Sequence, residues 1–211
     1  MNDNIFINTH PIVQDRLTKL RNKATRPKTF RACLNDIAFF LAVDATAYLP
    51  TYTKTIETPL QETEGQLLVE TNPLIVPILR AGLALSESLH SIIPNADVGH
   101  IGLYRDHDTH LPVEYLNKLP SDLNRPIFVV DPMLATGNSM VKTLDILMES
   151  GAKESDITVI TLLCAPEGIK QMRKKYNHIR IFTAAVDDLL NNDAYIAPGL
   201  GDAGDRYFGT E

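Results

Sequence analysis

The stretch Ile127-Phe128-Val129-Val130-Asp131-Pro132-Met133-Leu134-Ala135-Thr136-Gly137-Asn138-Ser139-Met140-Val141 constrains the fold of this chain more than any other. It opens with four apolar, largely β-branched residues, the pattern of a strand buried on both faces of a parallel sheet. The run stops at Asp131-Pro132, where proline withdraws a ladder donor. Small, turn-forming residues follow. From Ser139 apolar residues recur at helical spacing (Val141, Leu144, Leu147, Met148) until Gly151, which is placed to end a helix. A strand that enters a helix through such a turn leaves backbone N–H groups unpaired at the positive end of the helix dipole, which suits an anion such as phosphate. Asp131 cannot favour a phosphate directly and is better suited to accept hydrogen bonds from sugar hydroxyls or to act through a metal. The unit therefore suits a phosphorylated sugar. No Walker lysine and no G-x-G-x-x-G accompany the turn, which disfavours nucleoside triphosphates and dinucleotides as ligands.

Elsewhere the chain alternates strands with helices. Helical spacing is expected over Pro11 to about Lys23 (Ile12, Val13, Leu17, Leu20) and from Pro27 through Phe30, Cys33, Leu34, Ile37, Phe40 and Leu41 towards Tyr48. Thr51–Ile56 alternates as a strand, and the Pro59–Gly65 stretch reads as a polar loop. Leu74–Leu79 is a buried strand entering Arg80-Ala81-Gly82 and then a helix from Leu83. Val98–Tyr104 and Val113–Leu116 flank a charged turn, the pattern of a protruding hairpin arm. Strands at Ile157–Leu163 and Ile179–Ala184 bracket a helix opened by Pro166. Such regular alternation predicts right-handed βαβ units: an α/β, doubly wound, mostly parallel central sheet with helices on both faces. Residues 1–211 are expected to form one domain, long enough to bury roughly 70% of the unfolded surface. The tail from Tyr195 to Gly209, rich in glycine, reads as irregular.

Composition excludes several classes. The chain is 44% hydrophobic and 22% charged, with a net charge of −6 that argues against non-specific nucleic-acid binding. The N-terminus has no charged-then-apolar leader and no apolar run approaches the ~20 residues that span a bilayer, so no membrane association is expected. Cys33 and Cys164 lie in apolar runs, which points to buried thiols in a reducing, cytoplasmic setting. Cys164 has no local histidine to activate it and reads as core. Residues 1–31 carry Arg16, Lys19, Arg21, Lys23, Arg26, Lys28 and Arg31 against Asp3 and Asp15. A solvated helix surface is the expected meaning; an effector site or a face that meets an acidic neighbouring subunit are the alternatives. His107 and His110, three apart in a polar turn without a third ligand, read as solvated rather than metal-binding.

Val-Asp-Pro-Met-Leu-Ala-Thr-Gly closely resembles the phosphoribosyl pyrophosphate (PRPP) signature of type I phosphoribosyltransferases, in the form carried by the uracil branch. Three more stretches match that branch in the same order: Val76–Leu83, Gly102–Asp106 and Tyr195–Arg206. Together they cover the chain from about His10 to the C-terminus. The resemblance implies uracil and PRPP as substrates, UMP and diphosphate as products, and a step of pyrimidine salvage. It implies PRPP binding by Arg80, Arg105, Asp131, Pro132, Met133, Leu134, Ala135, Thr136, Gly137, Asn138, Ser139 and Asp202, with Arg80, Arg105, Asp131 and Asp202 catalytic. Arg105 would sit on an arm able to close over the site. Uracil would be read by Ile196, Gly201, Asp202 and Ala203 in the irregular tail. Mg2+ is expected through PRPP and water rather than by direct side-chain ligation. The same resemblance implies a homodimer or larger homo-oligomer and, as in some members, GTP as an activator.

The chain departs from the pattern at three places. Pro132 follows Asp131 where the wider group has a second acid, a loss that the uracil branch shares. Asn138 and Ala194 each stand where glycine is usual. If Asn138 required φ > 0, asparagine would be tolerated best after glycine. Two other functions remain open on sequence: transfer to a different nucleobase, and a PRPP-sensing regulator on the same fold, which would need a basic face.

Overall fold

The structure, a computed structural model, describes residues 4–70, 72–105 and 111–210, with the Arg105 side chain excluded. Strand β1 (Ile5–Ile7) leads into helices α1 (Pro11–Arg21) and α2 (Pro27–Thr46), both with proline in the first turn, where its missing N–H costs nothing. Strands β2 (Thr51–Glu57) and β3 (Glu62–Leu68) pair with each other alone. Then follow β4 (Leu74–Leu79), α3 (Leu83–Ile92), β5 (His100–Arg105), β6 (Pro112–Lys118), β7 (Ile127–Val130), α4 (Asn138–Glu149), β8 (Ile157–Ile160), α5 (Pro166–Arg173), β9 (Arg180–Thr183) and α6 (Ala203–Phe208).

The main sheet has the order β1-β9-β8-β7-β4-β5-β6, parallel throughout except for the antiparallel β5–β6 edge, and the short Asp97–Val98 strand also pairs with β4. Both faces are covered. Along β7, Ile127 and Val129 enter one core cluster with Leu144 and Leu147 of α4 and Met172 of α5. Phe128 and Val130 enter the other, with Leu34 and Ile37 of α2 and Leu85 of α3. Each such side chain, fully buried, contributes about 1.5–3 kcal/mol. Strand order reverses between β4 and β7: from β4 the chain proceeds to β5 on one side, and from β7 to β8 and β9 on the other. In open α/β sheets the crevice beyond strand ends at such a reversal is where ligands bind.

Beyond β7, β8 and β9 the ladder breaks and resumes in a small parallel sheet of Met133–Leu134, Leu163–Cys164 and Ala185–Val186. The strand ends before Asp131-Pro132 as expected, and Pro132 still serves the sheet. It contributes its carbonyl, which accepts from the amides of Leu162 and Leu163 at 3.0 Å each.

Several expectations need correction. The tail is not irregular throughout: Ala203–Phe208 is helical, with the Asp202 carboxylate accepting from the Asp205 amide at 2.9 Å as an N-cap and Gly209 left-handed at the C-cap. The expected polar loop after Thr58 is shorter, because residues 62–65 belong to β3. The Val98–Tyr104 strand breaks at Gly99. Ile12 and Met148 face outward, whereas Met140 and Ile146 are the buried residues that complete the inner face of α4. The expected arm is the β5–β6 hairpin at the sheet edge. Its turn, with His107 and His110, lies outside the described residues. A second hairpin, β2–β3, has residues exposed along nearly its whole length.

Candidate active site

Three segments meet at the strand-order reversal, and a fourth fastens the last of them. The first follows β4: Leu79 and Arg80 are joined by a cis peptide, and Gly82 turns the chain into α3. Gly82 fits because the backbone is so crowded there. A Cβ at this position would lie 2.4 Å from the Val130 carbonyl oxygen and 2.6 Å from the Ile78 nitrogen. Arg80 is thereby placed at the rim, with its side chain 65% exposed and Nη2 3.6 Å from Asp205 Oδ1.

The second segment follows β7. Asp131 sits where the two ladders part, its amide donating to the Ile160 carbonyl at 3.2 Å. Burial pushes its carboxyl up to about 7; the Met133 N–H, a donor to the carboxylate, offsets part of this, and the negative charge of Asp202 adds to it. The turn then runs to α4. Gly137 stands at the N-cap of that helix at φ +81° with no side chain to offer its amides, and the Asn138 amide donates to Thr136 Oγ1 at 3.4 Å. The Gly137 carbonyl accepts from Val141. The turn is clamped from behind by α5: a Cβ on Gly168 would lie 2.4 Å from the Ala135 carbonyl oxygen, and one on Gly137 would lie 2.6 Å from the Gly168 carbonyl oxygen. Asn138 is the first helical residue and does not have positive φ. Gln171 Nε2 donates to its side-chain oxygen at 3.4 Å. Leu134 points into the core with Cys164, so only its backbone is available to a ligand. Burial raises the Cys164 thiol to about 12, consistent with an inert core residue.

The tail forms the third segment. With Ala81, Asp131, Met133 and Ala135 on one side and Asp193–Ile196 and Gly201–Gly204 on the other, it encloses a cavity of about 420 Å3. The fit between the two sides is close, since a Cβ on Gly204 would lie 3.6 Å from the Ala81 methyl. Of the residues expected to read the base, Ile196, Gly201, Asp202 and Ala203 all line this cavity. Asp193, which also lines it, was not anticipated, because an exposed acid in a polar loop carries no distinguishing pattern. Ala194 has φ +62°, the one non-glycine residue with positive φ among the described residues. The loop holds it in place through Asn191, whose side-chain oxygen accepts from the Asp193 and Tyr195 amides at 3.0 and 2.8 Å.

The fourth segment is the N-terminal helix pair, whose basic residues are mostly engaged internally. Arg21 forms a two-pronged ion pair with Asp187 at 2.6 and 2.7 Å and donates to the Gly199 carbonyl at 2.9 Å; the Gly199 amide donates to Asp187 at 2.8 Å. Arg206 donates to the carbonyls of Leu20, Leu200 and Asn22 and lies over the Phe30 ring. Arg31 donates to the Tyr207 carbonyl, and Arg16 pairs with Asp36 and Asp15. Arg16, Lys19 and Arg21 are thus matched by carboxylates, Arg21 and Arg31 together with the tail's own Arg206 fasten the tail, and Lys23, Arg26 and Lys28 remain on the exposed surface. Arg105 ends β5, and its expected contact with pyrophosphate lies outside the described residues.

A twisted sheet with a phosphate-type turn at its order reversal and a cavity against it defines the phosphoribosyltransferase fold. The adenine phosphoribosyl transferase of Trypanosoma brucei shares it, with a TM-score of 0.58 at 11% identity over 94% of this chain and 88% of that one. The AQ2163 protein of Aquifex aeolicus superposes with a TM-score of 0.90 at 31% identity, covering 98% and 99% of the two chains. The uracil phosphoribosyltransferase of Dictyoglomus thermophilum is 49% identical over 208 residues, 98% of this chain and all of that one. The family model described as uracil phosphoribosyltransferase matches residues 7–210. The chain belongs to the uracil phosphoribosyltransferase family.

Proposed function

We propose that this protein transfers the phosphoribosyl group of PRPP to uracil, giving UMP and diphosphate. The observation that carries the reading is the convergence of the Arg80 loop, the Asp131 strand end and the Gly201–Ala203 backbone on one cavity at the strand-order reversal. The turn Ala135–Ser139 binds the 5′-phosphate, supplying binding energy away from the reacting bond. Asp131 holds the ribose hydroxyls and sets the anomeric carbon against the ring nitrogen of uracil. Arg80, and Arg105 by family resemblance, stabilise negative charge as it develops on departing diphosphate.

Among the described residues no three His, Cys, Asp or Glu side chains gather as a metal cage. Asp131 and Asp202 nonetheless suit a hydrated Mg2+ carried by PRPP, since magnesium usually keeps several waters. The ion would neutralise leaving-group charge; Asp202 would orient its water shell, which agrees with its field acting on Asp131.

The reading includes a homodimer or larger homo-oligomer. The β2–β3 ribbon supports it: two strands alone are marginally stable in water, and this pair exposes Tyr52, Ile56, Leu67 and Leu68. Light scattering before and after removal of residues 52–67 tests this. GTP activation rests on the family resemblance, and the effect of added GTP on initial rate tests it. A cytoplasmic setting accords with two free buried cysteines. No helix among the described residues is long and apolar enough to cross a membrane. A nucleic-acid-binding regulator is disfavoured, because Arg16, Arg21 and Arg31 are engaged by internal partners, which leaves only Lys23, Arg26 and Lys28 as uncommitted cations of the basic run.

Diphosphate release from PRPP and Mg2+ with a panel of bases is the deciding experiment. If main-chain groups read positions 3 and 4 of the ring, cytosine meets donor with donor and acceptor with acceptor. Each buried mismatch costs about 1–3 kcal/mol, so uracil is favoured on the order of 10²–10⁴ in kcat/KM. Comparable use of cytosine would overturn the pocket assignment, and release with no base at all would overturn the activity.

A further inference from the structure

At the opposite end of the sheet, where β7, β8 and β9 begin, lies a second cavity of about 410 Å3, a size typical of small-molecule sites. It shares no lining residue with the active-site cavity. Three cations from separate parts of the chain line it, Arg125, Lys153 and Arg180, against Asp156 as the one acid in the lining. With Arg125 paired to Asp97 outside the lining, Lys153 and Arg180 against Asp156 leave the cavity a small positive excess.

The three cations are also incompletely satisfied. The Arg180 guanidinium lies 4.6 Å from the centre of the Tyr48 ring, and no described carboxylate pairs with it. Lys153 Nζ donates to the side-chain oxygen of Asn124 at 2.6 Å and has no described carboxylate partner either. Arg125 is held through Nη1 by Asp97 at 2.5 Å and by the Asn72 carbonyl at 3.1 Å, while its Nε is buried without an acceptor. A buried donor without a partner often marks the place of an ion or water. An arginine fixed by stacking, with its N–H edge uncommitted, beside an ammonium group is suited to bind phosphate oxygens.

We propose that this basal cavity binds a phosphate-bearing small molecule, as a second site distinct from that for PRPP. The inference does not depend on which base the enzyme uses. Phosphate oxygens meet Arg180 and Lys153, with Arg125 fixed beside them, and Tyr48 and Phe128 supply an apolar wall for whatever the phosphate carries.

Hydrogen exchange of the full chain, titrated in parallel with inorganic pyrophosphate and with a nucleoside triphosphate, tests the proposal. Exchange should slow at residues 124–126, 153–156 and 178–181 with saturable dependence on ligand. Arg180→Ala combined with Lys153→Ala should weaken that response at least ten-fold and leave the ligand-free catalytic rate unchanged. Arg180→Lys combined with Lys153→Arg should restore most of it, which separates lost charge from lost folding. Equal response to both ligands means that phosphate alone is read; a tighter triphosphate adds a contact to the apolar wall. No protection of these segments by either ligand at saturation, or equal affinity in the double alanine protein, overturns the proposal.

Discussion

Replacing Arg21 by alanine should damage the base pocket from a distance. The substitution removes two donors to Asp187 and one to the Gly199 carbonyl, and leaves the Asp187 side chain, 4% exposed, with only the Gly199 amide. Breaking one side of a buried ion pair costs about 3–5 kcal/mol, a large part of the ~5–15 kcal/mol that holds a domain folded. Lysine at 21 keeps the charge but cannot present two parallel N–H groups, so Arg21→Lys should retain only part of the stability. Lys19→Ala, which breaks an exposed pair with Asp15, provides the control and should cost under about 1 kcal/mol. Gly199 lies between Ile196 and Gly201, both of which line the proposed base cavity. The surviving folded Arg21→Ala protein should therefore show a raised KM for uracil, on the order of ten-fold or more, with the KM for PRPP within about two-fold. Urea denaturation and initial rates with each substrate varied give both quantities. Denaturation within about 1 kcal/mol of the parent, or equal changes in the two KM values, would refute the clamp.

Three further outcomes follow from the site. Because burial raises the Asp131 carboxyl from 3.8 to about 7, the folded protein retains a proton that the unfolded chain gives up, so this group lowers stability as pH rises from about 4 to 7. Asp131→Asn should remove that loss, worth up to ~4 kcal/mol at pH 8; urea midpoints at pH 5 and pH 8 should then converge relative to the parent. Ala194→Gly relieves a left-handed alanine that costs about 1–2 kcal/mol at a chain-entropy cost of about 0.5–1 kcal/mol, so the thermal midpoint should rise by a degree or more; a fall would mean that the loop exacts no strain. Arg80→Ala should leave stability within about 0.5 kcal/mol, since its contact is exposed, yet lower kcat by about 10²–10³; near-normal turnover would remove Arg80 from the mechanism.

The parts readable from sequence are those fixed by local rules. Ile127–Val130 is apolar at every position because both its faces are buried, and Gly137 and Gly151 stand at the ends of α4 because both have positive φ. Long-range partners were not readable. The basic run at residues 16–31 resembles a solvated surface until the fold brings Arg21 to Asp187, 166 positions away, and Arg206 to the carbonyl of Leu20. Helix α6 was hidden by its flanking glycines, although Asp202 three residues before Asp205 and Gly209 after Phe208 are cap signals. The three residues of β1 are too few to show alternation, and they form a strand only because β9 offers an open edge. Gly168 matters through Ala135, a contact that no spacing along the chain discloses.

In the proposed reaction, fastening the tail and leaving Arg80 loosely held would serve different halves. Arg21, Arg31 and Arg206 tie residues 199–207 to α1 and α2, so the base cavity holds its shape before any ligand arrives. The entropy of ordering those backbone groups is lost during folding rather than on binding uracil, which sharpens discrimination between bases that differ only in donor and acceptor pattern. Arg80 contacts Asp205 only at 3.6 Å and stays largely in solvent, so it gives up little when it turns towards a diphosphate. In the proposed role its interaction would grow as negative charge leaves the sugar, and a contact that strengthens in this way acts on turnover rather than on ground-state affinity. On the proposed assignment, base preference resides in a fixed backbone and rate in a loosely held cation, so substitutions at Arg80 should leave the preference for uracil over cytosine intact even where turnover collapses.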